Sequence, residues 1–198
     1  MAKTTHQKGL ELENKFAEFI KEEMGYEKTK IRFQVKQANN SRGANIDVIG
    51  QRLDKRGKLL KNLGISYMVV FFIAMFYAFI IGFTDTFDNI WFSILFFGGL
   101  TMQILGIIVI LISSSLNIEN AWVECKNLKS KVNIGQVSKM INEINSYNQT
   151  KDTQYKFREF FFVSASGFID NAIELAISNN INCYIVEDDK FKKITNWN

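Results

Sequence analysis

Two apolar runs, Leu63–Phe83 and Ile90–Ile112, constrain this chain more than any other feature. They contain 21 and 23 residues, and between Lys61 and Glu119 the only charged side chains are Asp85 and Asp88, in the polar link Thr84–Asn89. At a helical rise of about 1.5 Å per residue each run is roughly 31–35 Å long, enough to cross a hydrocarbon core of about 30 Å. The competing arrangement is a pair of buried core helices. It requires the remainder of a 198-residue chain to wrap both runs on all sides, and too little protein remains for that. The expectation is a transmembrane helical hairpin.

Arg52, Lys55, Arg56, Lys58 and Lys61 precede the first run with Asp54 as the only acid among them, whereas the link carries no Lys or Arg. Basic residues mark the cytoplasmic flank, so the link is expected outside, with residues 1–62 and 113–198 together in the cytoplasm at a cell membrane crossed twice. Met1–Lys8 is polar and followed by an amphipathic stretch, unlike a cleaved signal. Cys125 and Cys183 both fall in apolar stretches and form no spaced framework, in keeping with a reducing compartment.

The net charge of +4 is unevenly spread: +6 over residues 1–62, −2 over 63–112 and zero over 113–198. The cluster at 52–61 is accounted for by orientation and anionic lipid. The stretch holding Lys28, Lys30, Arg32 and Lys36 reads equally as a solvated strand edge or as a face for nucleic acid.

The parts outside the runs sum to the size of one ordinary domain, and each alone is small for a stable core. Leu12, Phe16, Phe19, Ile20 and Met24 recur at helical spacing up to Gly25. Ile31, Phe33 and Val35 alternate with Lys30, Arg32, Gln34 and Lys36, the signature of a half-buried strand, and Asn39–Gly43 is turn chemistry. Asn45–Gly50 and Ala121–Lys126 read as strands, and Ile134, Val137, Ile141 and Ile144 mark a helix. Glu159–Ser164 reads as a central strand, Asn171–Ser178 as a helix with Asn171 and Glu174 at capping-box spacing, and Ile181–Val186 as a closing strand. Helix, three strands, helix, strand, helix, strand describes an α/β sandwich with a mixed central sheet, the hairpin replacing the turn between its second and third strands. Asp47 and Glu124 are then expected as neighbours despite 76 intervening residues.

Two carboxylates and a Lys on adjacent strands suit binding of a divalent ion and hydrolysis of a phosphodiester. Alternation puts Glu124 and Lys126 on one face and Cys125 on the other. Chance predicts roughly two acid-x-Lys triplets in such a composition, and the chain has three: Glu13–Lys15, Glu124–Lys126 and Asp188–Lys190. Only Glu124–Lys126 lies in an apolar strand beside another strand bearing a carboxylate, where buried charge needs a partner or an ion. A structural ion pair is the alternative. His6 is the only His, which argues against His-ligated zinc and a His general base.

The order of motifs adds a resemblance. Gly9-x-x-Leu12-Glu13 with Phe16, Phe19-Ile20 and Gly25-Tyr26 resembles the first helix of Mrr-like restriction endonucleases. Asn45-Ile46-Asp47-Val48 is similar to their Gly-rich turn followed by Ile-Asp-hydrophobic, and Val123-Glu124-Cys125-Lys126 to their second-strand acid-x-Lys. Val132–Val137, with Gln136, resembles the next helix start, and Phe162–Phe168 with Ala172 and Ala176 the late strand, Gly-Phe turn and helix. The turn here, Ser41-Arg42-Gly43-Ala44, holds fewer Gly than the family's, and the hairpin is an addition. The resemblance implies the PD-(D/E)XK, restriction-endonuclease-like fold and cleavage of DNA dependent on Mg²⁺, or on Mn²⁺ in its place. It implies Asp47 and Glu124 as metal ligands, Lys126 as the catalytic lysine, Glu13 as an additional ligand or water-orienting carboxylate, and Gln136 as an accessory residue. The plainer alternatives are an exposed helix acid at Glu13 and a helix-surface amide at Gln136.

The expected function is a membrane-anchored endodeoxyribonuclease acting on foreign or modified DNA. The competing reading is a catalytically inactive nuclease-like module that binds DNA or regulates at the membrane. A transporter is disfavoured, because the runs hold no charge to line an ion path. The expected partners are DNA and the lipid bilayer. Gly98-Gly99 permits close helix approach, with or without a homo-oligomer.

Overall fold

A computed structural model of the chain describes residues 4–37, 40–82, 89–116, 118–150 and 155–195. The chain divides into two compact units, one of Met1–Arg52 with Glu119–Asn198 and the other of Leu53–Ile118. The first is a mixed α/β unit in the order α1 (Thr5–Glu22), β1 (Lys28–Gln37), β2 (Asn40–Leu53), then β3 (Ile118–Lys126), α4 (Ile134–Asn148), β4 (Phe157–Ser164), α5 (Asp170–Ser178), β5 (Ile181–Glu187) and β6 (Lys190–Lys193). Its six strands hydrogen-bond in sequence order. The second unit holds α2 (Lys55–Gly82) and α3 (Asn89–Leu116), between β2 and β3 in the chain.

β1 and β2 pair antiparallel, β3 and β4 as well as β4 and β5 pair parallel, and β5 and β6 pair antiparallel. The β2–β3 direction follows from its cross-strand contacts. Asp47 meets Cys125, Gln51 meets Asn120 and Arg52 meets Glu119, so one strand ascends as the other descends. Parallel neighbours need long crossovers, and α4 and α5 supply them. Val137, Met140 and Ile144 of α4 and Ala172 and Ala176 of α5 pack with Trp122 and Phe162 on one sheet face. Leu12, Phe16, Ala17 and Ile20 of α1 cover the other face against Val123, Phe161, Val163 and Tyr184. Phe161, Phe162 and Val163 are buried in succession because β4 is covered on both faces. Phe16 is fully buried, with its ring 4.9 Å from Phe191 and 5.5 Å from Tyr184. Truncation of such a side chain to Ala costs about 3–5 kcal/mol.

Four details differ from the sequence reading. β2 begins at Asn40, so Asn40–Gly43 belongs to a strand rather than a turn. The ladder shifts register between Val35 and Gln37, and Gly43, with φ +72°, lies in the resulting irregularity. A Cβ there would fall 2.1 Å from the Val35 carbonyl oxygen, which leaves room only for glycine. The helix expected from Asn171 starts at Asp170 after Ile169, with no side-chain cap. The Ile169 N–H donates to the Val132 carbonyl, and this bond sets the chain's entry into the helix one residue early. The capping boxes belong instead to Thr4 with Gln7 and to Asn133 with Gln136. A sixth strand, β6, follows Asp188-Asp189, both with positive φ as a tight two-residue hairpin turn requires. Finally, Ile31 packs on the α1 side of the sheet while Phe33 and Val35 pack on the α4 and α5 side, so the alternation over β1 is broken within the strand.

In the second unit, α2 and α3 are each 28 residues long and contain windows, Lys55–Ile80 and Phe96–Ser113, long and apolar enough to cross a membrane. Only 11% and 17% of these windows are buried, which is unlike the core helices of a soluble fold. The Asp54 carboxylate accepts from the Gly57 N–H, capping the start of α2. Gly64 lies against Ile110 and the Gly106 carbonyl, Gly106 against Met68, and Gly99 against Met75. Small residues thus let the two helices approach closely. Gly98 has nothing within 4 Å of its Cβ position, so of the Gly pair only Gly99 serves this contact. Phe72, Phe76, Tyr77, Phe97 and Leu111 are all more than 60% exposed. The expected link Thr84–Asn89, with Asp85 and Asp88, lies outside the described residues apart from Asn89.

The roots of the insertion are joined within the first unit. Arg52 Nε lies 3.6 Å from a Glu119 carboxylate oxygen, and the Arg52 guanidinium also pairs with Glu159 and lies 4.7 Å over the Tyr26 ring. The Tyr26 hydroxyl donates to Glu159 at 2.9 Å. With both strand ends held in antiparallel pairing, a hairpin turn of about two to four residues suffices to join them. A chain in which 53–118 is replaced by Asn-Gly within such a turn is expected to be soluble without detergent. It should unfold in one cooperative thermal transition, measured by circular dichroism.

Candidate functional site

Asp47 sits where the β1–β2 ladder inverts. The pairs Ile31↔Val48 and Phe33↔Ile46 leave Arg32 opposite Asp47. Ile31 and Val48 enter the core beneath α1, whereas Phe33 and Ile46 enter the core beneath α4 and α5. A regular pleat places residues two apart on one face, so both strands change face at this pair. Arg32 has φ +53°, a left-handed conformation that costs a non-glycine residue on the order of 1–3 kcal/mol. The Asp47 carboxylate accepts a 2.7 Å hydrogen bond from the Cys125 backbone N–H and so reaches β3 itself.

On β3, Cys125 packs towards α1 and Trp122 towards α4, so Glu124 and Lys126 share the α4 side, as alternation requires. Lys126 Nζ donates to the Glu124 carboxylate. Glu124 is buried and Lys126 keeps 29% of its side chain exposed. Asp47, Glu124 and Lys126 therefore meet at the junction of β2 and β3, although the intervening chain is a separate unit.

Desolvation and the nearby Glu124 carboxylate push Asp47 up to about 6, against the pull of the Cys125 N–H and of Lys126. Glu124 is also raised, by burial first, with Lys126 opposing. Burial pulls Lys126 down, but Glu124 and Asp47 outweigh it and hold the ammonium charged. Burial, then the carboxylates of Asp47, Glu124 and Glu13, pushes the Cys125 thiol well up, which makes it a poor nucleophile. Crowded, partly desolvated carboxylates of this kind are relieved by a proton or a cation.

Glu13 is buried on α1, and both its oxygens accept from Arg32, from Nε at 2.9 Å and from a terminal nitrogen at 3.3 Å. The other terminal nitrogen of Arg32 lies 2.8 Å from His6 Nε2. Glu13 reaches Asp47 through its field and its hold on Arg32. Gln136 lies in the first turn of α4, where its carboxamide oxygen accepts from the Asn133 N–H and closes the capping box. Two residues near the centre escaped the sequence reading. Arg32 appeared only as one of several strand cations. Glu143, two turns along α4 from Gln136, interacts electrostatically with Glu124, Asp47 and Lys126, and is itself raised, chiefly by burial. Its spacing of seven from Gln136 was the available signal.

Among the described residues no group of three or more His, Cys, Asp or Glu converges as a ligand cluster. The donors at hand are the carboxylates of Asp47 and Glu124. Mg²⁺ commonly binds through one or two carboxylates while keeping waters and leaning on substrate phosphates, and this donor set fits it. Neither of two clefts, one of about 440 Å³ beside Arg158 and Lys193 and one of about 330 Å³ beside Lys8 and Lys15, includes Asp47, Glu124 or Lys126.

The raised Asp47 group fixes the sign of a pH effect. Between an unfolded value near 3.8 and a folded value near 6 the native state binds more protons, so its stability falls as pH rises through this window. Asp47→Asn keeps a hydrogen-bond acceptor and removes the charge. Without divalent ions it should be more stable than the parent by about 1–3 kcal/mol above pH 6, the gain shrinking towards zero near pH 4. Thermal melts across pH check this, and added Mg²⁺ should raise the melting temperature of the parent only.

No family model, curated protein or solved structure matched the chain in comparisons with each.

Proposed function

We propose that the chain is a membrane-anchored, metal-dependent endonuclease of the PD-(D/E)XK type that hydrolyses DNA phosphodiester bonds, with foreign or modified DNA as its target. The observation that carries the reading is the meeting of Asp47 with Glu124 and Lys126 at one strand junction across a long insertion. A structural ion pair would need Glu124 and Lys126 alone; the added Asp47, whose ionisation burial and Glu124 oppose, sets two carboxylates against one ammonium, an arrangement that a cation would relieve.

Asp47 and Glu124 would hold the divalent ion, which polarises phosphoryl oxygen and lowers the pKa of bound water. The Cys125 N–H holds one oxygen of the Asp47 carboxylate in place. Lys126, kept cationic by its two carboxylate neighbours, stabilises charge developing on the phosphate. The half-exposed setting of Asp47 and Lys126 suits a polymer lying across the strand ends better than an enclosed small molecule. Exposed Lys28, Lys30 and Lys36 on β1 offer contacts for its backbone phosphates, whereas Arg32 is engaged with Glu13 and His6. The length and apolarity of α2 and α3 support a location at the cell membrane, and the distribution of Lys and Arg supports both termini on the cytoplasmic side.

The second reading, a module that binds DNA without cutting it, draws on the Lys126 bond to Glu124, which already neutralises one candidate ligand. Both are separated by assaying the detergent-solubilised full chain on linear, supercoiled and modified DNA with Mg²⁺ or Mn²⁺. Cleavage is expected, and Asp47→Ala or Lys126→Ala should each lower it by at least about 100-fold. Retention of DNA on a filter by all three proteins with no cleavage by any would favour the binding module.

A further inference from the structure

We propose that Arg32 is a positioning residue for Asp47: its left-handed backbone, held by the fork it forms on buried Glu13, turns the facing strand so that Asp47 reaches the Cys125 N–H. As a role within the candidate centre it rests on the nuclease reading, but the geometry itself does not.

Four observations converge on this residue. Arg32 lies opposite Asp47 in the β1–β2 ladder. The residues on either side of it, and those on either side of Asp47, enter opposite cores, so the pleat reverses at this one pair. Among the described residues the other non-glycine positions with positive φ are Asn180, Asp188 and Asp189, which lie between elements, whereas Arg32 lies inside a strand. Its guanidinium is held at three nitrogens, two by Glu13 and one by His6.

Glycine adopts a left-handed conformation without steric cost, so a position needing only the backbone geometry would accept glycine. An Arg there bears the cost and in return ties the strand to α1. The planar fork suits this use, because two parallel bonds to one carboxylate fix direction as well as distance. With the tie in place, Asp47 cannot return to the regular pleat, where its carboxylate would stand on one sheet face away from the β3 backbone. Glu13 thereby acts on the centre through Arg32 and is itself a positioning residue.

Amide hydrogen exchange of the full-length protein in detergent, read by mass spectrometry on fragments that isolate Cys125, tests the geometry without any metal or DNA. Asp47→Ala gives the exchange rate of the unbonded amide. Arg32→Ala removes the fork but keeps a Cβ that disfavours the left-handed state, and should raise Cys125 exchange at least tenfold. Arg32→Gly also loses the fork but tolerates that state, and should raise it less. Glu13→Ala should match Arg32→Ala, and the double variant should add nothing to either. Cys125 exchange unchanged in Arg32→Ala, or equally fast in Arg32→Ala and Arg32→Gly, overturns the proposal.

Mn²⁺ binding followed by electron paramagnetic resonance separates this from the nuclease reading. If Asp47→Ala leaves Mn²⁺ affinity unchanged while Arg32→Ala speeds Cys125 exchange, the metal site fails and the positioning role stands. A tenfold weaker Mn²⁺ affinity in Arg32→Ala, with the melting temperature held within a few degrees, supports both.

Discussion

The hydrogen bond from the Cys125 N–H to the Asp47 carboxylate joins the two halves of the mixed unit at the point where chemistry is expected. In an ordinary ladder that N–H would donate to a backbone carbonyl of the neighbouring strand. Here it goes to a side chain, so the Asp47 carboxylate is tied to the β3 backbone itself. It also fixes one oxygen of a carboxylate that burial and Glu124 together render unwilling to ionise. The fold around this bond supplies the means of holding an awkward group still. α1 contributes Glu13, β1 contributes Arg32, and the core on both faces keeps β2 and β3 from separating.

That arrangement explains how a long insertion is tolerated between adjoining strands. The pairing of β2 with β3 is enforced from both ends, by Asp47 with Cys125 at one and by Arg52 with Glu119 and Glu159 at the other. Closing a long ordered loop costs little additional chain entropy, so the strands can meet as though a short turn linked them. The apolar helices meanwhile satisfy their own backbone groups and pack through Gly64, Gly99 and Gly106, leaving large apolar side chains such as Phe72 and Phe97 exposed on their outer faces.

Much of this was legible in the residues. The helix faces of α1 and α4 follow their apolar spacing, the dense run at Phe160–Val163 marks a strand covered on both sides, and Glu124 and Lys126 share a face because strands alternate. β6 was not legible, since Lys190–Lys193 offers one apolar residue and its strand exists by pairing with β5. The start of α5 moved by one residue because a long-range bond to Val132 outweighed a local capping pattern. The reversal at Arg32 left no trace in the alternation of Ile31, Phe33 and Val35, which looks continuous whether or not one residue between them turns left-handed. Its cause is a partner on another element, and pairwise contacts across the fold are invisible to a pattern read along the chain.

The cluster of Arg52 with Glu119, Glu159 and Tyr26 has a mechanical meaning. Arg52 lies five positions along β2 from Asp47, and Glu119 five positions along β3 from Glu124. At about 3.4 Å per residue this is about 17 Å of paired strand. Any drag on the hairpin enters the mixed unit at Arg52 and Glu119 and is shared there with Glu159 on β4 before it can reach Asp47 and Glu124. A cable fitting works in the same way, gripping the sheath so that the solder joint behind it feels no pull.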